Sequence, residues 1–416
     1  MTRVLMSTFG SEGDFKPPIA IAKMLQQFGV DVDFIANPFF EQKVLSEGIN
    51  FIGAGPFVDL DAIFKNDPSL LHRIKGPGQV GKMLLGSVEY FFPVACQQIE
   101  KQRPDIVVSH AIELGTQWAA RKYSIPYVTL STTPWLWFNK DDLVNVGKRL
   151  RPAWMNAVTF RVLAWIIEFC FAVSTLKLRK RFQLPRAYGA MKSFFGESVL
   201  NLGCWSALFR PETRDDPVNS LITGFTIDRE RNLGRIPKEL MDWLSQESPP
   251  VIVGLGTAAR WQGRHIYQAV AEACTESRRR CLLIGPELKD LEDLENRIRA
   301  VREIPFQEVF PYASVLVHHG GLGTTAQALL AGCPQLVVPF AHDQFYNAAR
   351  VKRLGAGLSF PSRKISRKSV KRLLRQFLND QQMNQRTKDL ALQFQQQPYG
   401  SNLAAKAILE VLGNGG

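Results

Sequence analysis

The sequence predicts an α/β protein built from two domains with parallel sheets. Three observations carry that prediction. RVLMSTF runs into the loop GSEGDFKPP, the amphipathic stretch IAIAKMLQQFG and the strand-like VDVDFIAN, which is the strand–loop–helix–strand rhythm of a parallel sheet. The same rhythm starts afresh at PPVIVGLGT, residues 249–257. The length of 416 residues exceeds what one hydrophobic core ordinarily serves, at roughly 100–200 residues per domain.

Further along the first half, DIVVSHAIE (105–113) and PYVTLSTT (126–133) read as strands with the helix LGTQWAARKY between them. From Pro134 to Arg181 the character changes. WLWFNK, WMNAVTFRVLAWIIEFCFAV and KLRKRF form an insertion, expected to be helical, in which Trp135, Trp137, Phe138, Trp154 and Trp165 sit near Lys148, Arg149, Arg151, Lys177, Arg179, Lys180 and Arg181. Residues 210–248, with RPETRDDP and GRIP, read as a linker. A helix over about 264–278 follows, then RCLLIG and SVLVHHGG as strands, TTAQALLAG as a helix and PQLVVPF as a strand. The expected division is a first domain over 1–215, with the insertion at 134–181, a second over 216–390, and a helix within 391–416 crossing back to the first.

Composition narrows the class. Hydrophobic residues make up 45% and charged residues 21%, a globular balance. The six cysteines, Cys96, Cys170, Cys204, Cys274, Cys281 and Cys333, form no CxxC pair and no zinc spacing. Most lie in apolar contexts such as FCFA and RCLLIG and read as reduced, mostly buried thiols of a cytoplasmic protein. No metal is expected. The start shows no secretory pattern. The longest apolar run, residues 158–173, is interrupted by Arg161 and Glu168 and falls short of the ~20 residues that span a bilayer. The net charge of +13 calls for an anionic partner: a nucleic acid, a membrane surface or a small molecule. No nucleic-acid-binding signature is present, so a specific nucleic acid is the weakest of the three.

The small molecule has a place to bind. SVLVHHGGLGTT should bring a strand to the carboxyl edge of its sheet and turn it tightly into a helix. Glycines let the backbone approach an anion, and a helix N-terminus offers unpaired N–H groups with partial positive charge. Thr324 and Thr325 add hydroxyls, and His318 can donate a ring N–H. The spacing is neither that of a P-loop nor GxGxxG. The next strand ends in HDQ, so Asp343 and Gln344 emerge on the same edge. An acid and an amide suit the vicinal hydroxyls of a sugar. A nucleoside diphosphate carrying a sugar fits both features.

These residues carry a family resemblance. HHGGLGTTAQALLAGCPQLVVPFAHDQFYNAARVKRLGAG resembles the donor signature of the family-one, UDP-glycosyltransferase-like enzymes of the GT-B fold. FGSEGDFKPPIAIAKML resembles the GS/T-x-GD loop of their microbial branch, which includes sterol and antibiotic-aglycone glycosyltransferases and the rhamnosyltransferase of rhamnolipid synthesis. The resemblance implies two Rossmann-like domains facing a cleft and metal-independent transfer with inversion. It implies no cofactor beyond the co-substrate, a UDP-glucose-like or dTDP-rhamnose-like donor. By it, Thr257, His318, Gly321, Gly323 and Thr324 contact the diphosphate, Asp343 and Gln344 hold the sugar, and the segment EIPFQEVFPYA, through Ile304 and Phe306, meets the base. Plant members stack a tryptophan on uracil where this chain has Glu303, which leaves uridine and thymidine both open.

The reaction needs a general base near the acceptor hydroxyl. The plant branch uses a histidine oriented by an aspartate. The matching positions here are Asp14 and His110, with the types exchanged. Either could be the base with the other tuning it, and Asp14 is favoured. Gly10, Ser11 and Gly13 shape the acceptor-side loop around it. His319 is expected to pack under the donor loop, and His342 to touch the sugar or its neighbours. The expected acceptor is a lipophilic alcohol, with a soluble aromatic natural product as the alternative. A non-catalytic sugar-nucleotide-binding protein and an epimerase of the same fold are the rival classes. Two regions suit transient contact with the inner face of an anionic membrane: the aromatic and basic insertion, and the run SRKISRKSVKRLLRQF (362–377).

Overall fold

Short β-rich runs, most of them followed by a loop and a helix, assemble into two all-parallel sheets. The computed structural model describes residues 2–73, 75–137, 139, 153–184, 195–227, 236–246, 248–292 and 296–413. In chain order the first part holds β1 (Arg3–Ser7), α1 (Glu12–Gln27), β2 (Asp31–Ala36), α2 (Glu41–Ser46), β3 (Asn50–Gly53), α3 (Leu60–Asn66), α4 (Lys75–Lys101), β4 (Ile106–His110), α5 (Leu114–Lys122), β5 (Tyr127–Ser131), α6 (Ala153–Arg181), β6 (Leu200–Gly203) and β7 (Ser220–Ile222). The second part holds α7 (Lys238–Leu244), β8 (Val251–Gly254), α8 (Gly256–Ala259), α9 (Arg264–Glu276), β9 (Cys281–Ile284), β10 (Ile298–Val301), α10 (Phe306–Val309), β11 (Val315–His318), α11 (Leu322–Leu330), β12 (Gln335–Val337), α12 (Gln344–Arg353), β13 (Gly357–Ser359), α13 (Arg367–Asn379), α14 (Gln381–Gln395) and α15 (Gly400–Gly413).

The first sheet has the order β3-β2-β1-β4-β5-β6-β7, and the second β10-β9-β8-β11-β12-β13. β1 pairs in parallel with both β2 and β4, and β8 with both β9 and β11. These are the points where the winding reverses, so the loops leaving the two central strands diverge and open a crevice at the carboxyl edge. The central strands are buried on both faces: Val4, Leu5 and Met6 in β1, and Val251, Ile252 and Val253 in β8.

The chain divides into one compact unit of Met1–Asp59, Gly78–Ile227 and Pro398–Gly416, and another of Leu60–Pro77 and Asp228–Gln397. The boundary lies beyond the expected 215/216 because β7 pairs with β6 and completes the first sheet. Residues 210–227 are thus not linker. Arg210 is fully buried there and paired to Asp216 through both guanidinium nitrogens. Residues 391–395 end α14 in the second unit, and α15 alone belongs to the first, packed on α1. Sequence patterning also missed that Leu60–Pro77 belongs to the second unit, where Leu71 joins the core and Phe64 accepts a hydrogen bond from Gln262 at 3.0 Å.

Two expectations about the basic and aromatic regions change. α13 turns Val370, Leu373, Leu374 and Phe377 into its own core, and Glu276 pairs with both Arg367 and Lys371. Its outer face is charged and carries no apolar stripe for a lipid surface. Of the insertion's aromatics, Trp137 is a core residue that donates its indole N–H to Ser131 at 2.9 Å. Phe138, Lys148, Arg149 and Arg151 lie outside the described residues. Cys170, read as buried from FCFA, is exposed, while the other five cysteines are buried. No helix among the described residues is long and apolar enough to cross a membrane.

α15 is held by a close backbone approach. A Cβ on Gly400 would lie 2.4 Å from the Gly224 carbonyl oxygen, whereas one on Gly413 meets nothing within 4 Å. Gly400→Ala should therefore destabilise the fold by about 1–3 kcal/mol in urea denaturation, with Gly413→Ala close to wild type.

Candidate active site

In the first unit three loops converge at the ends of β1, β4 and β5. Gly10, at φ +130°, bends the chain after β1 so that Asp14 can fold back, and a Cβ at Gly10 would stand 2.4 Å from Asp14 Oδ2. Asp14 Oδ2 accepts from the Ser11 backbone N–H at 2.9 Å and from the Ser11 hydroxyl at 3.0 Å. Gly13 carries no such demand, since a Cβ there meets only Ser11 Oγ at 3.6 Å. Pro17 and Pro18 sit inside α1. Pro18 has no N–H to give the carbonyl four residues back, which is that of Asp14. Thr8 fills the vacancy, donating its hydroxyl to Asp14 O at 2.9 Å. The KPP sequence thus ties Asp14 to the end of β1.

The other carboxylate oxygen faces the sheet. Thr132 donates its hydroxyl to Asp14 Oδ1 at 3.1 Å, and His110 Nε2 lies 2.9 Å from Thr132 Oγ1 and 3.5 Å from Asp14 Oδ1. The Ile112 N–H points at His110 Nδ1 at 3.4 Å, which makes Nδ1 the acceptor and leaves the proton on Nε2. The chain of donors runs from His110 to Thr132 to Asp14. His110 is fully buried, and burial holds its pKa below the usual histidine range against the opposing pull of Asp14. The Asp14 side chain keeps 28% of its surface and that of His110 keeps 1%. Oδ2 already accepts two bonds and Oδ1 one, so Oδ1 retains a lone pair for a substrate proton.

Behind this row stands Glu113, which sequence reading passed over. It is fully buried, caps α5 by accepting from the Gly115 N–H at 2.7 Å, and receives the Ser7 hydroxyl at 2.7 Å. Burial pushes its carboxyl up, opposed by the hydrogen bonds from Ser7, Thr116 and Gly115. With Gln117 donating to the carbonyls of His110 and Ala111, it locks the turn that carries His110. Thr132 was missed as well. Its signal was the STT at the end of the strand neighbouring β4.

In the second unit the loop after β11 behaves partly as expected. Gly320 adopts φ +95°, and Gly321 is the N-cap of α11, where it has no side chain to spend on the first-turn N–H groups. Thr325 gives its hydroxyl to Gly321 O at 2.9 Å, so the Thr324 hydroxyl is the one not used within the loop. A Cβ on Gly323 meets nothing within 4 Å, which marks open space over the first turn. Of the two histidines, His318 departs from expectation, whereas His319 packs against the loop. His318, expected to contact the diphosphate, is buried with both nitrogens engaged: Nδ1 accepts the Gly320 N–H at 3.2 Å and Nε2 donates to Gln335 Oε1 at 3.0 Å. Burial lowers its pKa to about 4. His319 is wedged between the two glycine loops, since a Cβ on Gly256 or Gly321 would come within 2.5 Å of its ring. Its Nδ1 is buried without a partner. Burial, with His318 alongside, lowers its pKa to about 3.

The DQ pair is braced from within. Gln344 spends its side-chain oxygen on the Phe340 and Ala341 N–H groups at 2.8 and 3.2 Å, which leaves only its amide N–H pair for a ligand. Asp343, half-buried, accepts from Asn347 Nδ2 at 2.9 Å, and the same nitrogen donates to Gly320 O at 2.8 Å. Asn347 thereby ties Asp343 to the glycine loop. Its signal was a helical spacing of four from Asp343. His342, held at φ 54°, is bonded through Nε2 to the Leu70 carbonyl at 2.9 Å and anchors the Leu60–Pro77 segment. Thr257 lies in the short α8 after β8. Ile304 is buried in the core, while Phe306 is half-buried, stacked on Phe310 at 4.7 Å and packed against Gly254. A cavity of about 410 Å³ opens nearby in sequence, at the ends of β9 and β10, with Trp261, Gly285, Leu288, Val301 and Arg302 in its lining.

This geometry has known counterparts. Residues 4–135 match the glycosyltransferase family 28 N-terminal domain, and residues 283–410 match the C-terminal domain of erythromycin biosynthesis protein CIII-like proteins. Over both halves the chain is thus similar to glycosyltransferases of the GT-B fold. It is 25% identical to a sterol 3-beta-glucosyltransferase of Arabidopsis thaliana over 371 residues, covering 86% of this chain and 57% of that protein. Against a sterol 3-beta-glucosyltransferase of Saccharomyces cerevisiae it is 24% identical, over 85% and 30% of the two chains. The chain thus spans less than two thirds of the length of these relatives. The calicheamicin glycosyltransferase CalG4 superposes with a TM-score of 0.75 at 18% identity, over 99% and 98% of the chains. The glycosyltransferase VinC, solved with dTDP, superposes at 0.69 and 18%, over 99% and 100%. Both sheets therefore have the GT-B arrangement.

The buried histidines set a pH dependence of stability. His318 has a folded-state pKa of about 4, against 6.5 when exposed. Between these values the unfolded chain binds more protons than the folded one, so stability is full above about 6.5 and falls as pH drops toward 4. Melting temperatures measured across that window should decline, and His318→Gln should decline less steeply than wild type.

Proposed function

We propose that this GT-B glycosyltransferase moves a hexose from a nucleoside diphosphate sugar to the hydroxyl of a lipophilic alcohol, by a single in-line displacement with inversion. One observation carries the reading. Asp14 is a partly exposed carboxylate with one oxygen fixed by the α1 N-terminus and the other retaining a lone pair beside the Thr132–His110 donor chain. In the proposed step the acceptor oxygen bonds to the anomeric carbon and its proton passes to Asp14 Oδ1. The bond from the anomeric carbon to the phosphate oxygen breaks, and the electron pair leaves with the nucleoside diphosphate. Of the pair Asp14 and His110, the carboxylate is the base. The imidazole is sealed from solvent and has both nitrogens occupied, and it orients Asp14 through Thr132.

For the leaving group, the uncapped N–H groups at the start of α11, the Thr324 hydroxyl and the unpartnered His319 ring are the donors that would meet developing negative charge. His318 supports that loop from beneath. Asp343 and the Gln344 amide N–H pair would take the sugar hydroxyls. The sterol glucosyltransferases among the sequence relatives support a lipophilic acceptor, and the dTDP complexes among the structural neighbours support a nucleoside diphosphate donor. A second reading, a polyketide or aromatic natural-product acceptor, is supported by the kitacinnamycin and calicheamicin glycosyltransferases among the structural neighbours.

Incubation of the purified chain with UDP-glucose, UDP-galactose and dTDP-rhamnose and a pool of sterol, hydroxy-lipid and polyketide alcohols, read by mass spectrometry, tests the activity. A new glycoside is the expected product, and nucleotide binding without transfer to any alcohol would overturn the reading. Asp14→Asn should lower kcat by about 10²–10⁴-fold with nucleotide affinity unchanged. Thr132→Val removes one orienting bond and should cost roughly tenfold. In calorimetry with UDP or dTDP, His319→Ala should weaken binding by roughly tenfold through the loss of one donor. Unaltered affinity in that variant would remove His319 from the diphosphate site.

A further inference from the structure

Helix α6 has two unlike faces. The inner one packs on the first unit: Leu178 and Thr175 are buried, Phe171 joins the core, and Arg179 donates to the Ala172 carbonyl at 2.7 Å. The outer one exposes Val158, Val162, Trp165, Phe169, Val173 and Leu176. At 3.6 residues per turn these six side chains fall within an arc of about 80° and run for about 27 Å. Trp165 is 66% and Phe169 58% exposed, and their rings stack at 5.7 Å. An apolar surface of this length on a water-soluble face signals a binding surface. It lies outside both family matches, which end at 135 and resume at 283.

Charge identifies what it would bind. The exposed ionised residues of α6 are Arg161, Lys177, Lys180 and Arg181, with no exposed acid among its described residues. On the helical wheel Arg161 and Lys177 edge the stripe and Lys180 closes its C-terminal end. The one carboxylate of α6, Glu168, is turned half-inward. We infer that the outer face of α6 is a docking surface for an anionic lipid bilayer, lying in the interface plane. Its apolar side chains enter the acyl boundary, and its cations stay among the headgroups. α13 shares the cations but has buried its apolar side, so α6 is the element equipped for both halves of the interaction. The inference does not depend on the catalytic reading.

The test uses the full chain in vesicle flotation. Wild type should float with vesicles of equal parts phosphatidylcholine and phosphatidylglycerol, not with phosphatidylcholine alone, and salt should weaken the association. The double variant Trp165→Ser with Phe169→Ser should bind at least tenfold more weakly at an unchanged melting temperature, since both side chains are exposed. Lys177→Gln with Lys180→Gln should reduce binding to the mixed vesicles, while Lys364→Gln with Lys368→Gln on the second unit should not. Cys170 is the one exposed cysteine among the six, so a polarity-sensitive maleimide dye placed there should shift to the blue on the mixed vesicles. Absence of wild-type flotation, or full flotation of the Trp165/Phe169 variant, would overturn the proposal. So would self-association of wild type that this variant abolishes without any vesicle binding, since the stripe would then be covered by a second copy.

Discussion

The constraint on which the rest depends is the parallel pairing of one strand with neighbours on both sides at the point where the winding reverses. β1 does this in the first sheet and β8 in the second. Successive crossovers from such a strand leave on opposite faces of the sheet, because right-handed connections to left and right neighbours require it. The two loops at its carboxyl end cannot pack against each other, and side chains from neighbouring strand ends fill or line the space. Asp14 after β1, His110 at the end of β4 and Thr132 after β5 are brought together by this geometry across 118 positions of sequence. His319 after β11 reaches Gly256 after β8 in the same way.

Within that frame Asp14 divides two tasks between its oxygens. As a helix-capping residue it satisfies Ser11, and as a carboxylate aimed at Thr132 it completes a buried donor chain. A proline pair inside α1 would ordinarily cost about 3 kcal/mol or more for each interior position. Here the carbonyl that Pro18 frees is the Asp14 carbonyl, and Thr8 takes it up. The local rule against proline in a helix is broken where breaking it pins the acid to the sheet. Glu113 and Gln117 do the equivalent on the other side by fixing the β4–α5 turn.

Much of this was legible in the sequence, and the losses have physical causes. The strands and helices around both glycine loops follow from local periodicity and turn residues, so their order and the residues at their ends could be read directly. The hydrogen-bond partners could not. Nothing local in HH distinguishes a histidine satisfied by Gln335 from one left without a partner, since Gln335 arrives from the next strand. Thr132 and Asn347 act through contacts with other elements, and only their spacing hints at it. The membership of Leu60–Pro77 in the second unit rests on tertiary packing that no pattern announces. The same holds for lipid contact. α6 and α13 both show apolar and basic residues at helical spacing, and which of them keeps its apolar side exposed depends on what the rest of the fold lays against it.

The adjacent histidines show why the unsatisfied group is the informative one. A buried polar nitrogen without a partner costs about 1–3 kcal/mol, and packing could have relieved it by a turn of the ring or a neighbouring hydroxyl. Instead Gly256 and Gly321 close on either side of His319, where any larger residue would collide with the ring. The fold thus holds the imidazole in place without giving it a bond, beside a helix N-terminus that has also been denied a side-chain cap. Two independent donor deficits at one sheet edge are a net cost to the isolated protein. An anion at that edge would supply the missing acceptor to both at once, and the proposed diphosphate has that chemistry.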